Sequence, residues 1–210
     1  MKKAVFFIGG INGSGKTTLI EKLVGHSDFI IGKQKRALIE VGTRNGLSYE
    51  EIPKNYDSLI EQAADYLSEE LATSTTQAMF IDCHYAFKLQ AALAINIKKQ
   101  ITEDDEPYIQ AIDDRLIAYL ASKHQLFFVF VSVDTAVANK RVNMRIKNIG
   151  DIHSTVGSLK IYQEAEQDFF HKLVDRFSIP SEHVLEIDNS GKLDVAVNKL
   201  GGFVRSVLVD

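Results

Sequence analysis

Five short runs of apolar residues recur along the chain, and between them the hydrophobic period changes from continuous to helical. The runs are residues 3–8 (KAVFFI), Phe29 to Ile31, Ala78 to Ile81, Leu126 to Val133 (LFFVFVSV) and Val184 to Ile187. Continuous apolar runs of this length, bounded by glycine or polar residues, suit strands buried on both faces. Helical spacing follows from Thr17 to Val24 and from Ala37 to about Gly42. It is clearest over 50–72, where Tyr56, Leu59, Ile60, Ala63, Leu67 and Leu71 share a stripe opposite acidic residues. A further helical stretch is expected from about Ile109 to Leu120. Asp134-Thr135 offers an N-cap for a helix through Arg145. A long helix is expected from about Ser158 to Phe177, with Leu159, Tyr162, Phe169, Leu173 and Phe177 inward. Leu193, Val197, Leu200, Val204 and Val207 mark a closing helix that Gly201-Gly202 should weaken.

Strands alternating with helices predict a three-layer α/β architecture: a mainly parallel sheet of about five strands, covered on both faces. Residues 146–157 (IKNIGDIHSTVG) are polar, glycine-punctuated and without period. They read as a small mobile lid within one domain, 1–210, rather than as a boundary.

Composition narrows the field of partners. Lys+Arg 24 against Asp+Glu 28 gives a net charge of −4, so no whole-surface attraction to nucleic acid or anionic membrane is expected. The apolar run after the first lysines ends at Gly9-Gly10, too short for a signal peptide, and no stretch is long enough to span a membrane. The single cysteine, Cys83, forms no internal disulfide and fits a reducing, cytoplasmic setting. The pattern specifies no oligomeric state.

The chemistry begins where the first run ends. Gly10-Ile11-Asn12-Gly13-Ser14-Gly15-Lys16-Thr17 fits G-x-x-x-x-G-K-[ST] without a departure, between an expected strand and an expected helix. Glycines let successive N–H groups turn into one concavity at a helix N-terminus, an anion nest. The loop residues Gly10, Asn12, Gly13, Ser14 and Gly15, with Lys16, Thr17 and Thr18, are the candidate nucleotide-binding set. Lys16 would reach the β- and γ-phosphates and the Thr17 hydroxyl would meet Mg²⁺, so ATP and Mg²⁺ are the expected ligands of a P-loop NTPase fold. Asp82 ends the third apolar run, where a strand would deliver a carboxylate to hold Mg²⁺ or align an acceptor. Cys83 reads as small-residue packing. His84 has two readings, contact with an acceptor phosphate or ordering of Asp82 on one side, a structural histidine on the other.

Arg141 and Arg145, four residues apart on one helical face with Lys140 and Lys147 nearby, are candidate catalytic cations carried over the γ-phosphate by the lid. Lys33, Lys35 and Arg36 read equally as acceptor contacts or as a solvated face. The acidic run Glu103-Asp104-Asp105-Glu106 reads as a solvated loop.

The GGINGSGKTT loop, the central helix, Asp82-Cys83-His84 and the arginine-bearing lid together resemble the P-loop nucleoside monophosphate kinases, nearest the archaeal-type adenylate kinases, which carry D-T-H where this chain has D-C-H. Leu38-Ile39-Glu40-Val41 through Gly46-Leu47, then Ile52-Pro53, adds to that resemblance. It implies a phosphotransferase with an acceptor-side helical region near 33–72 and a lid near 140–160. It also implies an adenine held partly by backbone groups of Asp188-Asn189-Ser190-Gly191, with the Asn189 side chain almost dispensable. Departures fall on the acceptor side: Ser48 to Pro53 lacks the arginine of that family, Gln167 stands where another arginine is usual, and residues 85–123 are longer. The expectation is a kinase moving the γ-phosphoryl of ATP to a nucleoside monophosphate or similar small acceptor. A P-loop ATPase switch acting on a macromolecule and a polynucleotide 5′-end kinase are the alternatives, the latter disfavoured by the acidic balance.

Overall fold

The structure, a computed structural model, describes residues 2–25, 29–88, 108–146 and 156–208; for 88, 145, 146, 156 and 157 it gives the backbone alone. The lid loop beyond Ile146, including Lys147, and the acidic run 103–106 lie outside the described residues.

Five parallel strands form the main sheet: β1 Ala4–Gly9, β2 Ile30–Gly32, β3 Ala78–Asp82, β6 Gln125–Ser132 and β7 Val184–Asp188, in the order β2-β3-β1-β6-β7. Alternate residues of the strands face opposite cores. On one face Val5, Phe7, Met79, Ile81, Phe128 and Phe130 meet helices α2 Gln34–Arg44, α3 Tyr56–Thr73, α4 Asp114–Lys123 and α6 Val156–Arg176. On the other, Phe6, Ile8, Phe80, Phe127 and Val129 meet α1 Lys16–Val24 and α7 Leu193–Leu208. Phe6 lies in register with both Phe80 and Phe127, its ring centroid 5.1 Å and 4.7 Å from theirs, so one aromatic row crosses three strands. The remaining helix, α5 Thr135–Ile146, starts on Asp134, whose carboxylate accepts from the N–H groups of Ala136 and Val137 as the N-cap reading requires.

Several boundaries differ from the sequence pattern for local reasons. The helix expected from residue 50 begins at Tyr56, because Pro53 opens a separate 3₁₀ turn, Pro53–Asn55. Ile109 is not helical: it belongs to a hairpin of β4 Ala86–Lys88 and β5 Tyr108–Gln110. The helix after it waits for Asp113, which caps the Arg115 N–H at 2.8 Å. In α6 the fully buried phenylalanine is Phe170 rather than Phe169. Helix α7 runs through Gly201-Gly202 without a break, and packing explains the first glycine: a Cβ at Gly201 would come within 3.3 Å of Leu23 in α1. No helix among the described residues is long and apolar enough to cross a membrane.

At the base of this core His124 is buried, its Nε2 paired with the Ser68 hydroxyl at 2.8 Å and its Nδ1 without a partner among the described residues. Burial, then Lys123, Lys3 and Lys2, lower its pKa from the ordinary 6.5. As pH falls below about 6.5 the unfolded chain takes up this proton before the folded one does, so stability should decline there; above that pH the group contributes no slope. Urea denaturation from pH 7.5 to 5 should show a shallower acid-side decline for His124→Gln than for the wild type.

Candidate phosphate and acceptor site

The loop joining β1 to α1 is shaped by what lies behind it. Gly13 and Gly15 sit at φ of 85° and 86°, a region other L-residues seldom enter. A Cβ on Gly13 would also lie 2.7 Å from the Ala138 carbonyl oxygen, and one on Gly15 2.5 Å from Asn189 Nδ2. Two side chains strut the loop, those of Asn189 and Arg141. The buried Asn189 amide donates to the Ser14 carbonyl at 2.7 Å. Arg141 Nη1 donates to the Gly13 carbonyl at 3.2 Å and to that of Ser14 at 3.5 Å, and Nη2 donates to the Asn189 carbonyl at 3.0 Å. Inside this cradle Lys16 is 7% exposed, while Asn12 is exposed at the loop's outer edge and Thr18 half-buried behind it.

These contacts change what two residues are for. Arg141 enters the site through α5, but its guanidinium is taken up by backbone oxygens of the loop and of the segment after β7. The Asn189 backbone N–H donates to the Ser132 carbonyl at 2.9 Å, so its N–H is tied to β6, its carbonyl to Arg141 and its amide nitrogen to the loop. The structure gives no ground for a dispensable Asn189 side chain. Arg145 lies one turn beyond Arg141 in α5, and its side chain is outside the description.

At the phosphate end, Thr17 Oγ1 donates to Asp82 Oδ2 at 2.7 Å, joining the start of α1 to the end of β3. Their register explains the meeting: Asp82 pairs with Ile8 on the strand that feeds the loop. Beside them opens a cleft of about 290 Å³ whose wall includes Glu21, Lys33 and Arg36. Lys33 and Arg36 are exposed, and neither has an ion-pair partner among the described residues. Lys35 turns elsewhere, 5.9 Å from the Tyr49 ring centroid. A larger hollow of about 870 Å³ lies at the other end of the sheet, between Lys2, Gln125 and His183, remote from the loop. Chemistry rather than size therefore selects the site: hard oxygen donors, a buried lysine and two open cations converge at strand C-terminal ends.

Cys83 follows Asp82, and its N–H continues the ladder to the Ile8 carbonyl at 3.0 Å. Burial, then the Glu166 and Asp82 carboxylates, push its thiol well above the ordinary range, against a smaller opposing pull from Lys16. A thiol so held is no nucleophile at neutral pH. Ellman's reagent at pH 8 should leave the native protein almost unlabelled and titrate one thiol after denaturation; rapid native labelling would contradict this.

Glu166 is the residue the sequence did not offer. It is fully buried, with Oε1 2.5 Å from His84 Nδ1 and Oε2 accepting from the Tyr85 N–H at 2.5 Å and the Ala86 N–H at 3.3 Å. A sequence signal existed: Glu166 lies on the inward stripe of α6 with Leu159, Tyr162, Phe170 and Leu173. Gln167, by contrast, faces out and donates to Glu186 at 3.2 Å.

The sequence matches no protein-family model and no curated protein. Its structure does have counterparts. A candidate kinase of Chloroflexus aurantiacus J-10-fl superposes with a TM-score of 0.56 at 14% identity, over 99% of this chain and 100% of its own. This chain has the fold of the P-loop kinases. A gluconokinase of Sinorhizobium meliloti 1021 gives 0.51 at 13% identity, over 98% of this chain and 93% of its own. The shikimate kinase of Acinetobacter baumannii, in complex with shikimate, gives 0.50 at 10% identity, over 100% and 97%.

Proposed function

We propose that this protein is an ATP-dependent phosphotransferase that moves the γ-phosphoryl group to a small anionic acceptor, a nucleoside monophosphate or a molecule of similar size. The observation that carries the reading is the 2.7 Å contact of Thr17 with Asp82 across the mouth of the loop, opening into the same cleft as Lys33 and Arg36. The loop N–H groups and Lys16 would bind the β- and γ-phosphates. A hydroxyl and a carboxylate are the hard oxygen donors that Mg²⁺ favours, so Thr17 and Asp82 would hold it. Bound there, Mg²⁺ would offset charge on the phosphate oxygens. Lys33 and Arg36 would hold the anionic end of the acceptor, and Asp82 would align its attacking oxygen. Arg145 would approach the moving phosphoryl group, where charge spreads over the equatorial oxygens and electrostatics dominate the rate. That the similar folds include enzymes named for shikimate and gluconate supports a small acceptor.

The test is an acceptor screen with γ-labelled ATP against nucleoside monophosphates, shikimate, gluconate and a 5′-hydroxyl oligonucleotide. Label on a small molecule is the expected result. Label on the oligonucleotide end, or release to water alone, would overturn it in favour of a polynucleotide kinase or an ATPase switch.

A further inference from the structure

Helix α6 grips the segment after β3 with two side chains one turn apart. Tyr162 donates its hydroxyl to the Ala86 carbonyl at 3.1 Å and lies 3.2 Å from His84 Nδ1, its ring nearly parallel to the imidazole. Glu166, one turn on, receives the N–H groups of Tyr85 and Ala86 and meets His84 Nδ1. Two backbone N–H groups donate to the Glu166 carboxylate, and an ionised carboxylate only accepts, so the His84 Nδ1 beside it carries its hydrogen toward Glu166. The imidazole is thereby fixed in tautomer and in orientation, and Nε2 is left with no hydrogen-bond partner among the described residues. His84 itself is half-buried, reachable from solvent. His84 stands two residues beyond Asp82, and the Cys83 N–H between them still continues the β3 ladder to the Ile8 carbonyl at 3.0 Å, so this grip adjoins the strand end that carries Asp82.

Resting on the phosphotransferase reading, we propose that Glu166 is a positioning residue for transfer: it holds the His84 ring with Nδ1–H inward so that Nε2 hydrogen-bonds the acceptor beside Asp82. A buried carboxylate without a lysine or arginine partner is costly to keep. The three donors that meet it among the described residues, two backbone N–H groups and one imidazole hydrogen, stay in place only while residues 84–86 keep this conformation. The carboxylate and the segment hold each other. Tyr162 adds a second hold on the segment at the Ala86 carbonyl, and its own ring is backed by Tyr108 at 5.6 Å.

The experiment compares wild type, Glu166→Gln, His84→Gln and the double variant. Long-range ¹H–¹⁵N spectra, with His84→Gln assigning the signal, should show His84 protonated on Nδ1 in the wild type and redistributed between nitrogens in Glu166→Gln. With MgATP and the acceptor that the screen labels, each single variant should lose at least tenfold in kcat and raise the acceptor KM. The MgATP Kd by calorimetry should stay within about twofold. The double variant should be little worse than His84→Gln alone, because Glu166 acts through that ring. Multiplying losses, or an unchanged His84 tautomer in Glu166→Gln, would reduce Glu166 to packing and overturn the proposal. Should Glu166→Gln fail to fold, His84→Gln decides: wild-type turnover in that variant overturns it equally. No label on any acceptor from wild type that still binds MgATP would instead remove the phosphotransferase reading, and this proposal with it.

Discussion

Replacing Lys16 by alanine is expected to lower phosphoryl transfer by roughly 30- to 1,000-fold while leaving the fold intact. A charge-assisted contact from an ammonium to the β- and γ-phosphate oxygens, strengthened as the bond to the leaving group stretches, contributes about 2–4 kcal/mol in the transition state. At about 1.4 kcal/mol per tenfold, that interval gives the stated range. The environment favours the upper half. Lys16 is only 7% exposed, so its stem is packed and its charge is confined beside the loop, where water screens it poorly. Lys16→Arg should not restore the rate, since a planar guanidinium needs more room than a point-charge ammonium and presents its donors differently. The measurements are steady-state kinetics, MgATP calorimetry and thermal unfolding. Affinity and turnover both at wild-type values in Lys16→Ala would mean that the loop does not serve phosphate.

Arg141→Ala should lower both stability and nucleotide affinity, where the sequence alone placed its effect in kcat. In the structure its guanidinium satisfies three carbonyl oxygens, those of Gly13, Ser14 and Asn189. Hydrogen bonds from a charged donor contribute about 1.5–3 kcal/mol each when well formed, and the 3.5 Å contact is weak, so a loss of about 2–4 kcal/mol is expected. Asn189→Ala removes the 2.7 Å bond to Ser14 and leaves that carbonyl oxygen only the weak 3.5 Å contact of Arg141, for about 1–3 kcal/mol. In both variants the loop N–H groups lose their convergence, and MgATP should bind at least tenfold more weakly. Arg141→Lys should recover only part, because one ammonium does not span the carbonyls that the fork spans. Urea denaturation and calorimetry read both quantities. Wild-type stability and affinity in Arg141→Ala, with kcat alone reduced, would return this arginine to the transition state and deny it the strut role.

The parts of this site that the sequence disclosed are those whose requirements are local. A phosphate loop needs particular residue types at fixed spacing between a strand and a helix, and all of that is written within residues 4–24. Asp82 was legible because an apolar run delivers it to a strand end. Arg141 was legible as a cation but not as a strut, since its targets are backbone oxygens, which no residue type announces. Asn189 and Ser14 meet across 175 positions, and neither belongs to a pattern that names the other. Glu166 hid in the run Glu164-Ala165-Glu166-Gln167-Asp168, where acidic residues suggest a solvated face; period 3.6 separates its fully buried carboxylate from its exposed neighbours. The hairpin β4–β5 escaped because strands of three residues are shorter than any period can define.

The strand order has a consequence for how the chain is made. Strand β1 is synthesised first, yet it lies in the middle of the sheet, flanked by β3, which begins at residue 78, and β6, which begins at residue 125. Until the second of these emerges, a nascent chain carries Val5-Phe6-Phe7-Ile8 with one edge bare and the covering that α6 and α7 supply unmade. Chains released early, ending before residue 132, therefore hold the central strand of a sheet as an open edge, the geometry most prone to pair with other copies. Premature termination before residue 132 should yield aggregates rather than folded fragments, and a chaperone that shields Ala4–Gly9 during synthesis would protect the sheet.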